Sequence, residues 1–153
     1  MIYQSTNSRT SCKLVEVESN ATISEFRYPL YATRPSAGFP SPGDDMVERS
    51  LNIHDLLVDR PEATFFVRVS GDSMEGAKVF DGDILVVDRS VQPAHGSIVV
   101  AAVYGELVVK RLQKLTQGYQ LISEQEGYEP IVVNHNDDCV IWGVVTATVR
   151  TFS

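Results

Sequence analysis

The sequence has few cysteines and no long apolar run. Cys12 and Cys139 are the only two cysteines in 153 residues, and they stand far apart without CxxC spacing. We therefore expect two free thiols rather than a disulfide scaffold or a structural zinc site. No stretch approaches the roughly 20 apolar residues that a membrane span requires, and the N-terminus lacks a signal-peptide pattern. The sequence predicts a cytoplasmic protein without a membrane segment.

The chain also lacks an excess of positive charge. Its net charge is -7, with four basic and three acidic residues in 1–43 but nine basic and seventeen acidic residues in 44–153. An acidic body repels phosphate, so we expect no direct sequence-specific binding of nucleic acid.

The common enzyme signatures are missing as well. The chain contains no GxGxxG, GxxxxGK[ST], HExxH or GxSxG motif, and the sequence predicts no cofactor and no metal site. The three histidines, His54, His95 and His135, are scattered. A Ser/His/Asp triad assembled from distant positions is the weaker alternative for catalysis.

Short β-type runs fill the chain after residue 62. They are rich in Val, Ile and aromatic residues and are separated by Gly, Asp or Asn turns. The seven runs are ATFFVRVS, DILVVD, GSIVVAAVY, ELVVKRLQKL, YQLISE, PIVVN and CVIWGVVTATVRTF. This pattern predicts a mainly β fold of short, mostly antiparallel strands with one or two short helices.

Local signals add further elements. Residues 104–106 and 117–119 predict tight hairpins, and KLVEVE at 13–18 predicts one weak strand in an N-terminal arm. Asp44 or Asp45 is predicted to cap a short helix that continues to about Val58.

A linker is predicted at residues 29–43, PLYATRPSAGFPSPG, which contains four prolines and two glycines. Proline fixes φ and removes a donor, so this segment should be exposed and should not form helix or central strand. Ala37 and Gly38 are both small, so the bond between them suits a narrow proteolytic groove. A flexible hinge is the alternative interpretation.

Ser73 is the candidate nucleophile. It stands in SGDSM at 70–74, directly after a predicted strand, where a sharp bend displays the hydroxyl and lets backbone N–H groups converge on an oxyanion. Ser, Gly and Asp are also ordinary turn residues, so a simple turn serine is the alternative.

Lys110 is the candidate base for that serine. Alternation in LVVKRLQ places Lys110 on one strand face with Val108 and Leu112, and Arg111 on the other. Burial disfavours the ammonium form and lowers the pKa of a lysine, whereas an arginine keeps its charge. An exposed edge-strand lysine is the alternative.

The motifs together resemble a known family. AGFPSP, SGDSM, DGDILVVD, HGSIVVAAV and LVVKRLQ are similar to the UmuD and MucA mutagenesis proteins of the LexA-type self-cleaving serine peptidases. The resemblance extends from about Tyr28 to Thr148, and the spacing of 37 residues from serine to lysine suits that family.

The resemblance implies a LexA/signal-peptidase-like domain and a division of labour within the site. Ser73 would be the nucleophile, Lys110 the neutral base, and Ala37-Gly38 the bond cut. The backbone N–H groups of Asp72 and Ser73 would form the oxyanion site. Residues 1–37 would then be an arm with a cleavable linker, and residues 38–153 the peptidase and interaction domain.

The resemblance also implies partners and a context. It indicates a homodimer whose cleavage is stimulated by RecA filaments on single-stranded DNA in the SOS response. The product would be an accessory subunit of a UmuC-like Y-family translesion polymerase. A non-catalytic module that docks such a polymerase is the main alternative. A signal-peptidase relative and a transcriptional repressor fit less well, because no anchor and no recognition helix is predicted.

Two features depart from the family pattern. Lys78 in EGAKVF stands where relatives usually carry glycine, and residues 1–20 form a longer arm than expected.

Overall fold

Strands dominate the described part of the chain. The structure is a computed structural model, and it describes residues 11–14, 26–31, 47–134 and 138–152. Its strands are β1 (Ser11–Leu14), β2 (Tyr28–Tyr31), β3 (Val47–Leu51), β4 (Thr64–Ser70), β5 (Ile84–Asp88), β6 (Ile98–Val103), β7 (Glu106–Lys114), β8 (Tyr119–Ile122), β9 (Ile131–Val133) and β10 (Cys139–Val149), with one α-helix, α1 (Ile53–Leu57).

The chain divides into two compact units. One comprises Met1–Val17 with Arg60–Ser153, and the other comprises Glu18–Asp59. The first contains an eight-stranded sheet in the order β1-β4-β5-β10-β6-β7-β8-β9. Every neighbouring pair in it is antiparallel. The predicted mainly β, mostly antiparallel fold is confirmed, and the seven predicted runs correspond to β4 to β10.

The core lies on both faces of β7. Leu107 and Val109 belong to one buried apolar cluster, and Val108 and Leu112 belong to a second. Alternating side chains of a strand point to opposite faces, so a run without polar interruptions packs on both sides. Each fully buried Val or Leu contributes about 1.5–3 kcal/mol relative to an exposed one.

Both predicted hairpins are present. Tyr104 and Gly105 have φ values of 49° and 81° and join β6 to β7. Two residues with positive φ are typical of the turn that matches strand twist. Between β7 and β8, the backbone N–H of Leu115 donates to the carbonyl of Gly118 at 3.1 Å.

The predicted N-terminal strand is present in part. β1 begins at Ser11, two residues before KLVEVE, and pairs antiparallel with β4 so that Ser11 faces Ser70. Residues 15–18 lie outside the described residues.

The unit Glu18–Asp59 corrects the predicted helix. Residues 47–51 form β3, which pairs with β2, and the helix occupies only Ile53–Leu57. Its cap is Asn52, whose side chain accepts a hydrogen bond from the backbone N–H of Asp55 at 3.2 Å. Strand pairing with β2 competes with helix formation over residues 47–51. The predicted caps Asp44 and Asp45 lie outside the described residues.

The predicted linker begins in an exposed edge strand. Pro29 lies within β2, opposite Ser50 of β3. Proline is tolerated there because the sheet has two strands and each of them is an edge. Residues 32–46, which include Ala37 and Gly38, lie outside the described residues, and so does the predicted boundary between residues 37 and 38.

Two further findings concern the thiols and the membrane. The hydroxyl of Tyr119 donates to Sγ of Cys139 at 3.5 Å. Among the described residues, no helix combines the length and the apolar character that crossing a bilayer demands.

Candidate active site

The SGDSM segment forms a bend that follows the last residue of β4. Gly71 has a φ of 98°, a left-handed conformation that glycine adopts without strain. Its backbone N–H donates to Oδ1 of Asp81 at 2.8 Å. Ser73 is fully buried two residues later. The bend therefore turns the serine into the protein.

The turn at residues 80–83 supports this bend. Asp83 is 1% exposed, and Arg150 donates to both of its carboxylate oxygens at 2.7 Å. The hydrogen bond from Arg150, helped by one from the backbone of Phe80, holds the pKa of Asp83 below its ordinary value of 3.8. The carbonyl of Asp83 accepts from the backbone N–H of Val69 at 2.8 Å. The end of β4 is thereby attached to the turn that contains the ionised side chain of Asp83.

Glu124 attaches the serine segment to the chain that follows β8. Its backbone N–H donates to the carbonyl of Ser73 at 2.8 Å, and its carbonyl accepts from Gly76 at 2.6 Å. A Cβ on Gly76 would lie 2.3 Å from that same carbonyl oxygen. Only glycine permits this approach. The side chain of Glu124 also forms an ion pair with Arg111.

Lys110 lies in the middle of β7. It faces Val99 of β6 and shares its strand face with the buried Val108 and Leu112, as the alternation predicts. Lys110 as a whole is 4% exposed. The expected burial of this lysine is confirmed. Burial in apolar surroundings disfavours the charged form of an amine.

The serine and the lysine meet. Nζ of Lys110 lies 3.4 Å from Oγ of Ser73, slightly beyond the normal range of 2.7–3.2 Å for an N–H···O hydrogen bond. Catalytic hydrogen bonds are often long before substrate binds. The structure thus brings together two of the predicted site residues: Ser73, in the bend after β4, and Lys110, on β7, a strand that does not neighbour β4 in the sheet.

Two residues beside Lys110 were not predicted. Nζ of Lys110 donates to Oγ of Ser123 at 2.7 Å, and the ring of Tyr128 lies 5.4 Å from the same nitrogen. The Tyr128 hydroxyl donates to Oδ1 of Asp72. The hairpin register would have indicated Ser123, because the pairing of Arg111 with Ile122 places the next residue opposite Lys110. No local signal points to Tyr128.

Of the remaining predicted site features, some lie within the described residues and others do not. Asp72 is exposed and adjoins Ser73 in the bend, while Ala37 and Gly38 lie outside the described residues. Lys78 has a φ of 64°, a left-handed conformation that explains why glycine suits this position. The described residues contain no cluster of three or more His, Cys, Asp or Glu side chains arranged to hold a metal ion.

The fold and the site define a mostly antiparallel β protein with a buried serine and a buried lysine in contact. Residues 29–146 match the family described as Peptidase S24-like, and the chain belongs to this family. It is 43% identical over 129 residues to the protein MucA of Salmonella typhimurium, covering 84% of this chain and 88% of MucA.

Other relatives are similar over comparable lengths. The protein ImpA of Shigella flexneri is 42% identical over 128 residues, which are 80% of this chain and 83% of ImpA. The LexA repressor of Thiobacillus denitrificans is 35% identical over 117 residues, which are 76% of this chain and 58% of the repressor.

Proposed function

We propose that this protein is a serine peptidase that cleaves its own Ala37-Gly38 bond with Ser73 as nucleophile and Lys110 as general base. The observation that carries the proposal is the 3.4 Å approach of a buried amine to a buried hydroxyl. Membership of the peptidase S24-like family supports it. The chemistry follows from what each group does to the peptide bond.

In the first half of the reaction, Oγ of Ser73 attacks the carbonyl carbon of Ala37, and its proton passes to Nζ of Lys110. The tetrahedral intermediate collapses, the bond to the nitrogen of Gly38 breaks, and Lys110 returns the proton to that nitrogen. Water then attacks the acyl carbon and gives a proton to Lys110, which passes it back to Ser73. The products are a carboxylate at Ala37 and an amine at Gly38.

The charge on the intermediate needs a donor site. The backbone N–H groups of Asp72 and Ser73 follow the left-handed Gly71, and successive N–H groups in such a bend converge on an anion. We assign the oxyanion site to these two groups. The hydrogen bond from Gly71 to Asp81 supports this assignment, because it restrains the bend.

The rate of cleavage should rise with pH, because the neutral amine of Lys110 is the working form. An unperturbed lysine titrates near about 10.4, and burial lowers that value. We expect the first-order rate constant, measured by intact mass without any partner protein, to increase from pH 7 toward a plateau at alkaline pH. A rate constant that is flat between about pH 7 and 10 would contradict the base assignment.

We propose that the cleavage belongs to the SOS response to DNA damage. The similarity to MucA and ImpA supports this assignment. By the family resemblance, RecA filaments on single-stranded DNA promote cleavage, the protein forms a homodimer, and the fragment starting at Gly38 serves a UmuC-like Y-family polymerase. A tethered substrate makes cleavage effectively intramolecular, so control acts on whether the linker occupies the groove.

The decisive experiment is intact-mass analysis of the purified chain incubated at alkaline pH. We expect a fragment beginning at Gly38, and none from Ser73→Ala or Lys110→Ala. Lys114→Ala is the matched control, because Lys114 is an exposed lysine on the same strand. It should cleave like the wild type.

Parallel incubations test the partners. Adding RecA filaments at neutral pH should accelerate cleavage of the wild-type chain and not of Ser73→Ala. A Gly38 fragment from Lys110→Ala would contradict the dyad. A wild-type chain that never cleaves but still binds the polymerase would support the non-catalytic docking module.

A further inference from the structure

We propose that Ser123 is a positioning residue that orients the amine of Lys110 toward Ser73; this inference rests on the proposed function. The starting observation is a difference in distance. Nζ of Lys110 lies 2.7 Å from Oγ of Ser123 but 3.4 Å from Oγ of Ser73. The lysine therefore makes its shorter hydrogen bond to Ser123, which takes no direct part in the proposed reaction.

Two backbone features fix the position of Ser123: the strand register before it and the hydrogen bonds of Glu124 after it. The register of β7 and β8 pairs Arg111 with Ile122, so the next residue stands opposite Lys110. The residue after it, Glu124, is hydrogen-bonded through its backbone to Ser73 and Gly76. Ser123 thus lies between Ile122, the strand partner of Arg111, and Glu124, whose backbone bonds to Ser73. Its hydroxyl is held in register with both reacting groups.

The chemistry of an amine base makes its orientation important. A neutral lysine has two N–H donors and one lone pair, and the lone pair must face Oγ of Ser73 to accept the proton. Donation of one N–H to Ser123 restricts rotation about the Cε–Nζ bond. It also restrains a side chain with four rotatable torsions, which would otherwise sample orientations that are useless for proton transfer.

Ser123 also acts once the proton has moved. The ammonium of Lys110 then needs acceptors, and Oγ of Ser123 accepts one of its N–H groups in a charge-assisted hydrogen bond. The face of the Tyr128 ring, 5.4 Å away, adds a cation–π attraction. Loss of the Ser123 hydroxyl should therefore destabilise the ammonium form and lower the pKa of Lys110.

The charged groups on the elements around Lys110 are few. Asp72, in the bend that contains Ser73, accepts a hydrogen bond from the hydroxyl of Tyr128. Arg111 forms an ion pair with Glu124. The facing strand β6 has the sequence IVVAAV and carries no ionisable side chain. None of these groups is altered by a change at Ser123, so a shift in the titration of Lys110 reports on the hydroxyl itself.

The test compares Ser123→Ala and Ser123→Thr in the full-length chain. Self-cleavage is followed by intact mass from about pH 7 to 10.5, which yields a plateau rate constant and a midpoint. For Ser123→Ala we expect the plateau to fall by about 10- to 100-fold and the midpoint to move to lower pH. Ser123→Thr keeps the hydroxyl and should restore both. Thr116→Ala removes an exposed hydroxyl from the β7–β8 loop and is the matched control.

A second measurement does not depend on proteolysis. Carbon-13 labelling of lysine at Cε, with assignment by Lys110→Arg, reports the titration of Lys110 by NMR in the Ser73→Ala background. We expect a lower pKa when Ser123→Ala is added and no change with Thr116→Ala.

The outcomes separate the two proposals. Cleavage by Ser123→Ala with the wild-type plateau and midpoint, or faster than wild type, overturns the positioning role and leaves the dyad intact. An unchanged Lys110 titration, or a Ser123→Thr variant as slow as Ser123→Ala, also overturns it. A wild-type chain that does not cleave itself under any of these conditions overturns the proposed function instead.

Discussion

At the residue scale, burial of Lys110 has a cost in stability, which its proposed role as a general base would explain. An amine that is 4% exposed loses the solvation it has in the unfolded chain. The hydroxyl of Ser123 and the ring of Tyr128 offset part of that loss. Packing against Val108 and Leu112 would favour an apolar side chain at this position. A lysine here is therefore best explained by its proximity to Ser73.

Lys110→Met should raise the free energy of unfolding by about 1 kcal/mol, because an apolar side chain of similar length replaces a buried polar one. The comparison belongs in the Ser73→Ala background, where the chain stays intact, and guanidinium denaturation measures it. Lys114→Met, on the same strand but exposed, should change stability little. A loss of more than about 1 kcal/mol in Lys110→Met would show that the amine is net stabilising.

At the element scale, the serine bend, residues 70–76, depends on its close approach to the backbone of Glu124. Gly76 and Ser73 both bond to the main chain of Glu124, at 2.6 and 2.8 Å. These two hydrogen bonds connect the segment after β4 to the segment after β8. They hold the bend beside the residues that surround Lys110.

Gly76→Ala should destabilise the protein by about 1–3 kcal/mol and slow self-cleavage, because the new methyl group would lie 2.3 Å from a backbone oxygen. Thermal unfolding and intact mass measure the two effects. Glu75→Ala, at the neighbouring position, should leave both close to wild type. Equal stability of Gly76→Ala and wild type would show that the contact with Glu124 is dispensable.

Lys78 is a local conflict between residue type and backbone. Its φ of 64° costs a non-glycine residue about 1–2 kcal/mol of stability. Replacement by glycine would remove this strain but would cost about 0.5–1 kcal/mol in backbone entropy. Lys78 is also exposed, so its side chain is not needed for packing.

Lys78→Gly should therefore stabilise the protein by about 0.5 kcal/mol, whereas Lys78→Ala should not, because alanine keeps the strained φ. Urea denaturation of the two variants in the Ser73→Ala background separates backbone relief from loss of charge. If alanine and glycine were equally stabilising, charge rather than conformation would be the cause.

At the scale of the whole molecule, Asp83 connects the turn beside the serine bend to the end of β10. Arg150 follows β10, the eleven-residue strand that pairs with both β5 and β6. Its hydrogen bonds to Asp83 lower the pKa of that carboxyl. Because the pKa is lower in the folded chain than in the unfolded chain, the stabilisation is present above pH 3.8 and is lost as the pH falls below it.

Asp83→Asn should lower the melting temperature at pH 7 and flatten its dependence on pH below about 4, because the titrating group is gone. Calorimetry between pH 2 and 7 measures both. Asp81→Asn is the comparison, since Asp81 is exposed in the same turn and the amide oxygen of asparagine can still accept the hydrogen bond from Gly71. If the melting temperature of Asp83→Asn fell as steeply with decreasing pH as that of the wild type, other carboxylates would cause the acid sensitivity.

Local patterns in the sequence determined the strands, the hairpins and the face on which Lys110 lies, because alternation and turn residues act between neighbours along the chain. They misassigned residues 47–51, where pairing with β2 prevails over helix formation. They also missed Ser123 and Tyr128. Only the tertiary structure decided the approach of Lys110 to Ser73, because three strands separate β4, which Ser73 follows, from β7, which contains Lys110. The backbone of Glu124, after β8, holds the segment of Ser73 beside Lys110.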